Sequence, residues 1–168
     1  MKLKLVFLLI LTFLFFVAAP FVIRAQKNGL IGYKHKGVTY GSTLPNGAKD
    51  LGGGLLADEN YGVTRFSKNG KFMLWLERIS ARDKQGVPSW IVKDVLTFEK
   101  LKTNHEFLLS YSSGCQQNGK ENLDLIVQAQ FLPKTKTYKV INAWLANTKK
   151  ERFEKISTKK ITCQYNAP

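Results

Sequence analysis

The two histidines are the side chains of this sequence best suited to acid–base chemistry. An unperturbed imidazole has a pKa near neutral pH, so His35 and His105 acting with a lysine would suit general acid–base cleavage of RNA. His35 lies in a positively charged, turn-like stretch, and His105 lies in a polar loop before a predicted strand. Both positions are typical of surface histidines. A small secreted hydrolase such as a ribonuclease is therefore the alternative function, not the leading one.

The other residue types that do chemistry show no catalytic or metal-binding spacing. Asp58 and Glu59 are adjacent, whereas a glycosidase needs two carboxylates that face each other across a cleft. The glycines at 52–54 are not followed by the Gly-Lys-Ser/Thr of a phosphate-binding loop, and we interpret them as a flexible turn. The sequence predicts no catalytic residue, no metal site and no cofactor, and it favours a protein that is not an enzyme.

Cys115 and Cys163 are the two cysteines of the chain. An even number of cysteines in an exported chain favours pairing, because such a chain passes through an oxidising compartment. The sequence has no C-x-x-C motif and no histidine near either cysteine, which argues against a metal-binding or nucleophilic thiol. We therefore predict a disulfide, which stabilises the fold by about 4 kcal/mol in the chain-entropy model.

The chain is strongly basic, with 26 Lys and Arg against 12 Asp and Glu, a net charge of +14. Removal of residues 1–25 would leave +11. Such a field attracts anions, among them anionic envelope polymers and lipid headgroups. Lysine outnumbers arginine by 21 to 5. This argues against nucleic acid, because arginine is favoured for bidentate phosphate recognition. Solubility is the other explanation of the charge, and the sequence indicates no protein partner or oligomeric state.

Positive charge is concentrated at 134–160, where only Glu151 and Glu154 oppose nine cations. The predicted turns at 133–136 and 147–150 lie at opposite ends of one strand, so the charges are expected to form two patches. These patches would bind an anionic surface, or the lysines would protect edge strands from pairing. The candidate anion-binding residues are Lys134, Lys136, Lys139, Lys149, Lys150, Arg152, Lys155, Lys159 and Lys160.

Residues 1–25 have the layout of a secretory signal peptide. Lys2 and Lys4 precede an apolar run from Leu5 to Ile23, and Ala25 is the small residue at the predicted cleavage site. The run is near the length that spans a bilayer, so an uncleaved anchor at 5–23 is the alternative. In either case the rest of the chain is expected outside the cytoplasm, in the periplasm or the extracellular space.

The remaining chain predicts one small β-rich domain at 61–168, preceded by a Gly-rich, loosely ordered segment at 26–60. Asn69-Gly70 between two hydrophobic runs predicts a hairpin, and turn signals recur about every 8–12 residues after it. We expect six to eight strands in a small antiparallel β-sandwich or a barrel-like meander. The alternative is an α+β fold with a helix at 94–105. Trp90 and Trp144 are expected in the core.

Several packing and turn residues between Ser89 and Gln164 form a pattern. They are Trp90-x-Val92-x-Asp94, Cys115, Leu125-Ile126-Val127, Ala143-Trp144-x-Ala146-Asn147, Phe153-Glu154-x-Ile156 and Cys163. On these residues the stretch resembles small, exported, uncharacterised bacterial proteins with a paired-cysteine, β-rich domain. The resemblance implies a disulfide-tied secreted domain and implies no activity. The function expected from the sequence is a non-enzymatic envelope or secreted binding protein for anionic partners.

Overall fold

The computed structural model describes residues 29–37, 40–99, 101–109 and 113–164. The predicted signal segment lies outside the described residues. Those residues are organised mainly as antiparallel strands. Twelve strands are described: β1 (Lys34–Lys36), β2 (Lys49–Leu55), β3 (Tyr61–Lys68), β4 (Lys71–Arg82), β5 (Pro88–Phe98), β6 (His105–Leu109), β7 (Cys115–Gln117), β8 (Lys120–Glu121), β9 (Leu125–Leu132), β10 (Thr137–Asn147), β11 (Arg152–Ile156) and β12 (Ile161–Cys163).

The strands form three antiparallel sheets. The first sheet has the order β1-β5-β4-β3-β2 and curls into a half-barrel. The second sheet has the order β11-β10-β9-β6, and the third has the order β12-β7-β8. Bulges interrupt the β4–β5 pairing at two places and the β2–β3 pairing at one. Because a bulge bends its strand and increases the local twist, these irregularities account for the curl of the first sheet.

The predicted mainly β, antiparallel fold is confirmed, and so are its strongest turn signals. Asn69 and Gly70 connect β3 to β4 with positive φ angles of 52° and 75°. Asn118 and Gly119 connect β7 to β8 in the same way, with φ of 55° and 72°. Two consecutive positive φ angles are what a tight type I′ hairpin requires.

Three details differ from the sequence interpretation. The alternative helix at 94–105 is wrong, because Asp94–Phe98 complete β5 and pair with β4. The glycines at 52–54 are not a turn but part of β2. Two strands, β1 and β2, come from the range that we interpreted as loosely ordered. The structure has twelve described strands instead of the six to eight expected. The additional strands lack a strong alternation or are only two or three residues long, so the sequence pattern did not indicate them.

The second sheet lies between the other two. One face of it packs on the first sheet through an inter-sheet core that includes Leu74, Leu76, Ile126 and Trp144. The opposite face packs on the third sheet through a disulfide core, whose buried members are Leu108, Cys115, Leu125, Val127, Ala129, Ala143, Ile161 and Cys163. The strict alternation of β9 explains this arrangement, because its successive side chains enter opposite cores.

The predicted disulfide is present. Cys115 on β7 and Cys163 on β12 are direct cross-strand partners, and their sulfur atoms are 2.04 Å apart. Both cysteines are buried within the disulfide core. A disulfide of this kind is compatible with an oxidising, exported environment. Among the described residues, no helix is long and apolar enough to cross a membrane.

A carboxylate in the β10–β11 turn connects the second sheet to the first. Glu151 lies 2.8 Å from Arg78 Nη1 and 2.5 Å from Lys93 Nζ. It also accepts a hydrogen bond of 3.0 Å from the Tyr61 hydroxyl. Burial raises the pKa of Glu151, but the hydrogen bonds from Lys93 and Tyr61 and the two positive charges outweigh burial, so the net pKa is lowered.

Candidate ligand-binding site

An open cavity of about 340 Å³ lies on the inner face of the curled first sheet. Its polar lining consists mainly of His35, Asp50, Thr64 and Glu77. Its aromatic lining is provided by Tyr40 and Trp90, and glycines of β2 and β3 complete it. Ligand sites in proteins are concave and combine apolar surface with a few placed polar groups. This cavity is therefore the candidate functional site of the domain.

The alternation of β4 explains how polar groups come to lie beside the cavity. Met73, Trp75 and Glu77 point to the inner face of the sheet, and the intervening leucines point to the inter-sheet core. Met73 and Trp75 belong to an inner cluster of buried apolar residues, together with Leu44, Ala48, Phe66, Val92 and Val95. Glu77 follows in the same register, so the interior of the curl changes from apolar to polar along one strand.

The central feature of the polar region is a buried pair between a histidine and a glutamate. His35 Nε2 lies 2.5 Å from Glu77 Oε1, and their side chains are 5% and 2% exposed. The second oxygen of Glu77 accepts a hydrogen bond of 2.7 Å from the Thr64 hydroxyl. The other ring nitrogen, Nδ1, donates to the carbonyl oxygen of Lys36 at 2.8 Å. Both nitrogens of the imidazole are therefore occupied by partners within the protein.

The protonation of this pair follows from its hydrogen bonds. Nδ1 must carry a hydrogen, because a carbonyl oxygen only accepts. The contact between Nε2 and Glu77 then contains one further proton, which makes an imidazolium–carboxylate pair when His35 holds it. Burial lowers the pKa of His35, but the hydrogen bond and the charge of Glu77, the Lys36 carbonyl and Asp50 together raise it above 6.5. The raised pKa favours the charged form of the pair.

Aromatic rings hold the imidazole in place. Tyr33 stacks on the ring of His35 with centroids 5.9 Å apart, and Trp75 meets it edge-on at 6.0 Å. Phe66 lies edge-on at 6.2 Å. The indole N–H of Trp75 is fully buried and has no hydrogen-bond partner among the described residues. His35 is therefore fixed on three sides by rings and at both nitrogens by hydrogen bonds.

A second buried carboxylate lies at the bulge of β2. Asp50 is 5% exposed, and its Oδ1 accepts a hydrogen bond of 2.5 Å from the backbone N–H of Gly52. The described residues provide no hydrogen-bond partner for its other oxygen, and Asp50 lines the cavity. Gly52 has a φ of 84°, a conformation that glycine adopts without strain. Asp50 therefore brings to the wall of the cavity a carboxylate with one oxygen that no described residue occupies.

The glycines of β2 and β3 form a floor that has no side chains. A Cβ atom at Gly53 would lie only 2.5 Å from the carbonyl oxygen of Val63 and 2.7 Å from Cα of Thr64. At Gly62 it would lie 3.1 Å from the Gly54 carbonyl oxygen. Close approach of the two backbones therefore requires glycine at 53, and the cavity is lined there by peptide groups.

Two aromatic side chains border the mouth of the cavity. Trp90 on β5 is half-buried and packs beside Gly62, where an added Cβ would lie 3.3 Å from Cη2 of the indole. Tyr40 is 76% exposed. Trp90 was expected in the core, and the structure corrects this, because its position opposite His35 on β1 places it at the cavity. Trp144 is buried in the inter-sheet core as expected.

The two histidines occupy different parts of the molecule. The side chain of His35 in the first sheet is only 5% exposed, so its interpretation as a surface histidine is wrong; the alternation of β1 exposes Lys34 and Lys36 and turns His35 inward. His105 begins β6 in the second sheet and lines a separate cavity with Gln128 and Asn142. The structure does not bring the two imidazoles into one site.

The lysines of the predicted anion-binding set lie at both ends of β10. Lys134 and Lys136 belong to the β9–β10 turn, and Lys149 and Lys150 to the β10–β11 turn. Lys139 is exposed on β10 and Lys155 on β11, and Lys159 and Lys160 are exposed before β12. The two turns are separated by the length of an eleven-residue strand. The set is therefore distributed over the sheet and is not gathered at one point.

Two cations of the predicted set are already paired. Lys150 Nζ lies 2.9 Å and Arg152 Nη2 lies 2.8 Å from Glu154 Oε1. Hydrogen bonds from Asn147, Lys150 and Arg152 lower the pKa of Glu154 to about 2. Within the described part of the chain, the other lysines of the set form no ion pair: Lys134, Lys136, Lys139, Lys149, Lys155, Lys159 and Lys160.

The cavity residues were not identified as a site from the sequence. Asp50 and Glu77 are separated from His35 by 15 and 42 residues, and only the sheet order brings them together. One signal was present: Glu77 shares the alternation of Met73 and Trp75, so a charged side chain occupies an inward position. A charge at such a position is rare unless it is paired.

Comparison with known proteins adds no functional assignment: no protein-family model, no curated protein and no solved structure matches this chain. No group of three His, Cys, Asp or Glu side chains among the described residues is arranged to hold a metal ion. The geometry of the cavity and the surface charge are therefore the features of this chain that bear on its function.

Proposed function

We propose that this chain is a non-enzymatic binding protein, exported to the periplasm or the extracellular space, that takes a small polar ligand into the cavity of the first sheet. The observation that carries the proposal is the buried pair of His35 and Glu77 beside Asp50. Burying ionised groups costs several kcal/mol per ion unless they are paired, and a domain gains little stability from such a pair compared with apolar residues. A buried polar wall next to an open cavity is consistent with ligand recognition.

The geometry supports binding better than catalysis. A histidine that acts as a general base needs a free ring nitrogen within hydrogen-bonding reach of the substrate. In His35 both nitrogens are occupied, by Glu77 and by the Lys36 carbonyl. His105 lies in a different sheet. The arrangement that a two-histidine ribonuclease would need is therefore absent from the described residues, and the hydrolase alternative depends on a rearrangement.

The experiment is a titration monitored by ¹H–¹⁵N correlation spectra. Glucose, N-acetylglucosamine, tetramethylammonium and inorganic phosphate represent four ligand classes. At least one of them should shift the indole N–H signal of Trp90 and the amides of Gly53 and Gly54. The amide of Gly119, on the third sheet, is the internal control. If no probe shifts the cavity signals, or if the protein cleaves RNA and His35→Ala abolishes the cleavage, the proposal is wrong.

A second candidate function is contact with an anionic polymer or with anionic headgroups, which the unpaired lysines favour. Lys134, Lys136 and Lys139 have no ion pair among the described residues, whereas Lys150 and Arg152 are engaged by Glu154. We therefore expect the end of the second sheet at the β9–β10 turn to be the stronger anion-binding surface.

The test of this second candidate compares two triple variants with the same change of charge. Changing Lys134, Lys136 and Lys139 to Gln should weaken retention on heparin and on vesicles that contain phosphatidylglycerol. Changing Lys68, Lys84 and Lys120 to Gln provides the control. Equal losses in the two variants would mean that only net charge matters, and a retention that added salt does not weaken would exclude electrostatic binding.

A further inference from the structure

The free acceptor of the cavity determines which ligands can be recognised. Both carboxylate oxygens of Glu77 are occupied, one by His35 and the other by Thr64. The negative charge of Glu77 is therefore balanced by His35 and not by a ligand. Asp50 uses one oxygen for Gly52, has no partner for the other among the described residues, and lines the cavity. An ionised carboxylate accepts hydrogen bonds and donates none. The ligand must therefore bring a donor, such as a hydroxyl or an N–H group, to Asp50.

The aromatic residues of the cavity favour a ligand with an apolar face. Trp90 is half-buried beside the floor, and Tyr40 exposes most of its ring at the mouth. Such rings offer large, flat, rigid contact surface and a negative face that attracts polarised C–H groups. A ligand that stacks on one of them and reaches Asp50 has hydrogen-bonding groups around its edge and C–H groups on its face.

Charge argues against an anion. Asp50 and Glu77 both line the cavity, and the positive charge of His35 is directed at Glu77. An anionic ligand would meet the free oxygen of Asp50, and the one cation of the lining, His35, is already paired with Glu77. The volume of about 340 Å³ lies at the lower end of the range of about 300–1,000 Å³ for small-molecule sites. The cavity therefore suits a single ring of modest size.

We propose that the ligand is a neutral saccharide, one of whose rings enters the cavity, contacts both Trp90 and Tyr40 and donates hydroxyl hydrogens to Asp50. This inference rests on the proposed binding function and specifies its ligand class. His35 and Glu77 act as positioning residues, which fix the wall of the cavity without touching the sugar.

The experiment is calorimetric or NMR titration of the full folded domain with glucose and N-acetylglucosamine. Asp50→Asn should weaken binding at least tenfold, because the amide retains an acceptor for the Gly52 N–H and replaces the free acceptor by a donor. Asp58→Asn is the matched control. Asp58 accepts the backbone N–H two residues later, as Asp50 does, but it lies outside this cavity.

A second variant keeps the test valid if Asp50→Asn does not fold. Tyr40→Ala changes a side chain that is 76% exposed, so folding should be retained and saccharide binding should weaken. Leu123→Ala, which changes an exposed apolar residue outside the cavity, should leave binding unchanged. Saccharide binding that all these variants retain would overturn the assignment of the site.

The outcomes separate this inference from the proposed function. Saccharide binding that does not depend on salt supports both. If tetramethylammonium binds at the cavity and saccharides do not, the ligand class is wrong and the binding function stands; such binding should weaken with salt because it is electrostatic. If none of the four probes binds at the cavity, both proposals are wrong.

Discussion

The disulfide core and the interior of the first sheet are both enclosed by antiparallel strands, yet they bury different groups. The disulfide core contains aliphatic side chains, alanines and a covalent link between β7 and β12. The interior of the first sheet has an apolar end around Trp75 and a polar end with His35, Asp50 and Glu77. One region is closed, and the other opens into a cavity.

This difference separates the groups that stabilise the fold from the groups that the proposed binding function would use. Apolar groups and a cross-link stabilise a fold without requiring accurate hydrogen-bond geometry. Buried polar groups are costly unless each finds a partner, and the first sheet supplies partners to His35 and Glu77 while leaving one oxygen of Asp50 available. We therefore expect changes in the disulfide core to affect unfolding, and changes at the cavity to affect binding as well.

The largest expected effect is the loss of the disulfide. Replacing Cys115 and Cys163 by Ala should lower the free energy of unfolding by about 4 kcal/mol, because the unfolded chain regains the freedom that the cross-link removes. Urea denaturation of the variant and of the oxidised protein measures the difference. A variant as stable as the oxidised protein would show that the disulfide core does not depend on its link.

A smaller effect is expected from overpacking the glycine floor. Gly53→Ala should destabilise the fold by about 1–3 kcal/mol, because its methyl group would overlap the carbonyl oxygen of Val63. Gly29→Ala is the control, since no atom lies within 4 Å of a Cβ built there, and its effect should stay within about 0.5 kcal/mol. Equal effects in thermal or urea unfolding would contradict the close approach of β2 and β3.

The buried pair predicts a dependence of stability on pH. The folded-state pKa of His35 is raised above the unfolded value of 6.5, so its contribution is complete below pH 6.5 and is lost as pH rises through the folded-state value. Each unit of difference corresponds to about 1.4 kcal/mol. Urea denaturation between about pH 5 and pH 9 should show this decline.

The matched variants for the pH experiment are Glu77→Gln and His105→Ala. Glu77→Gln removes the charge that raises the pKa of His35, so the decline in this window should disappear. His105→Ala removes the other histidine and should leave the decline in place. If the decline survives in Glu77→Gln but is lost in His105→Ala, the decline comes from His105 and the prediction for His35 is wrong.

The smallest effect concerns the connection between the first and second sheets. Glu151→Gln should cost about 1 kcal/mol, since Arg78 and Lys93 lose their common partner in a partly exposed position. A double-mutant cycle with Lys93→Met isolates the coupling between the two charges. Glu121→Gln, at an exposed position without an ion pair among the described residues, should change stability by less than about 0.5 kcal/mol.

The sequence was sufficient for features that depend on neighbouring residues or on composition. The Asn-Gly turns at 69–70 and 118–119 have the positive φ angles that these dipeptides accommodate. Two cysteines in a chain with a predicted signal were enough to predict their pairing, and the alternation at 123–131 predicted β9. The turns and the alternation of β9 depend on residues that are close in sequence. The disulfide could be predicted because two cysteines allow only one pairing.

The cavity was not predicted, because its residues meet only through the order of the strands. The cross-strand positions of His35 and Trp90, and of Gly62 and Glu77, are set by tertiary pairing. The glycines of β2 were misinterpreted for the same reason. A run of glycines is typical of a flexible turn when no partner is known, and here the nearby carbonyl of Val63 requires a residue without a side chain.

The arrangement of the first sheet has a consequence for the order in which the protein is made. All five of its strands come from one continuous stretch, from Lys34 to Phe98, and no other described strand lies between them in the sheet. A ribosome therefore completes every residue that lines the cavity before it begins β6. Cys163 follows all eleven earlier strands, so the sheet that carries the cavity can assemble in a nascent chain while the covalent link is still to be made.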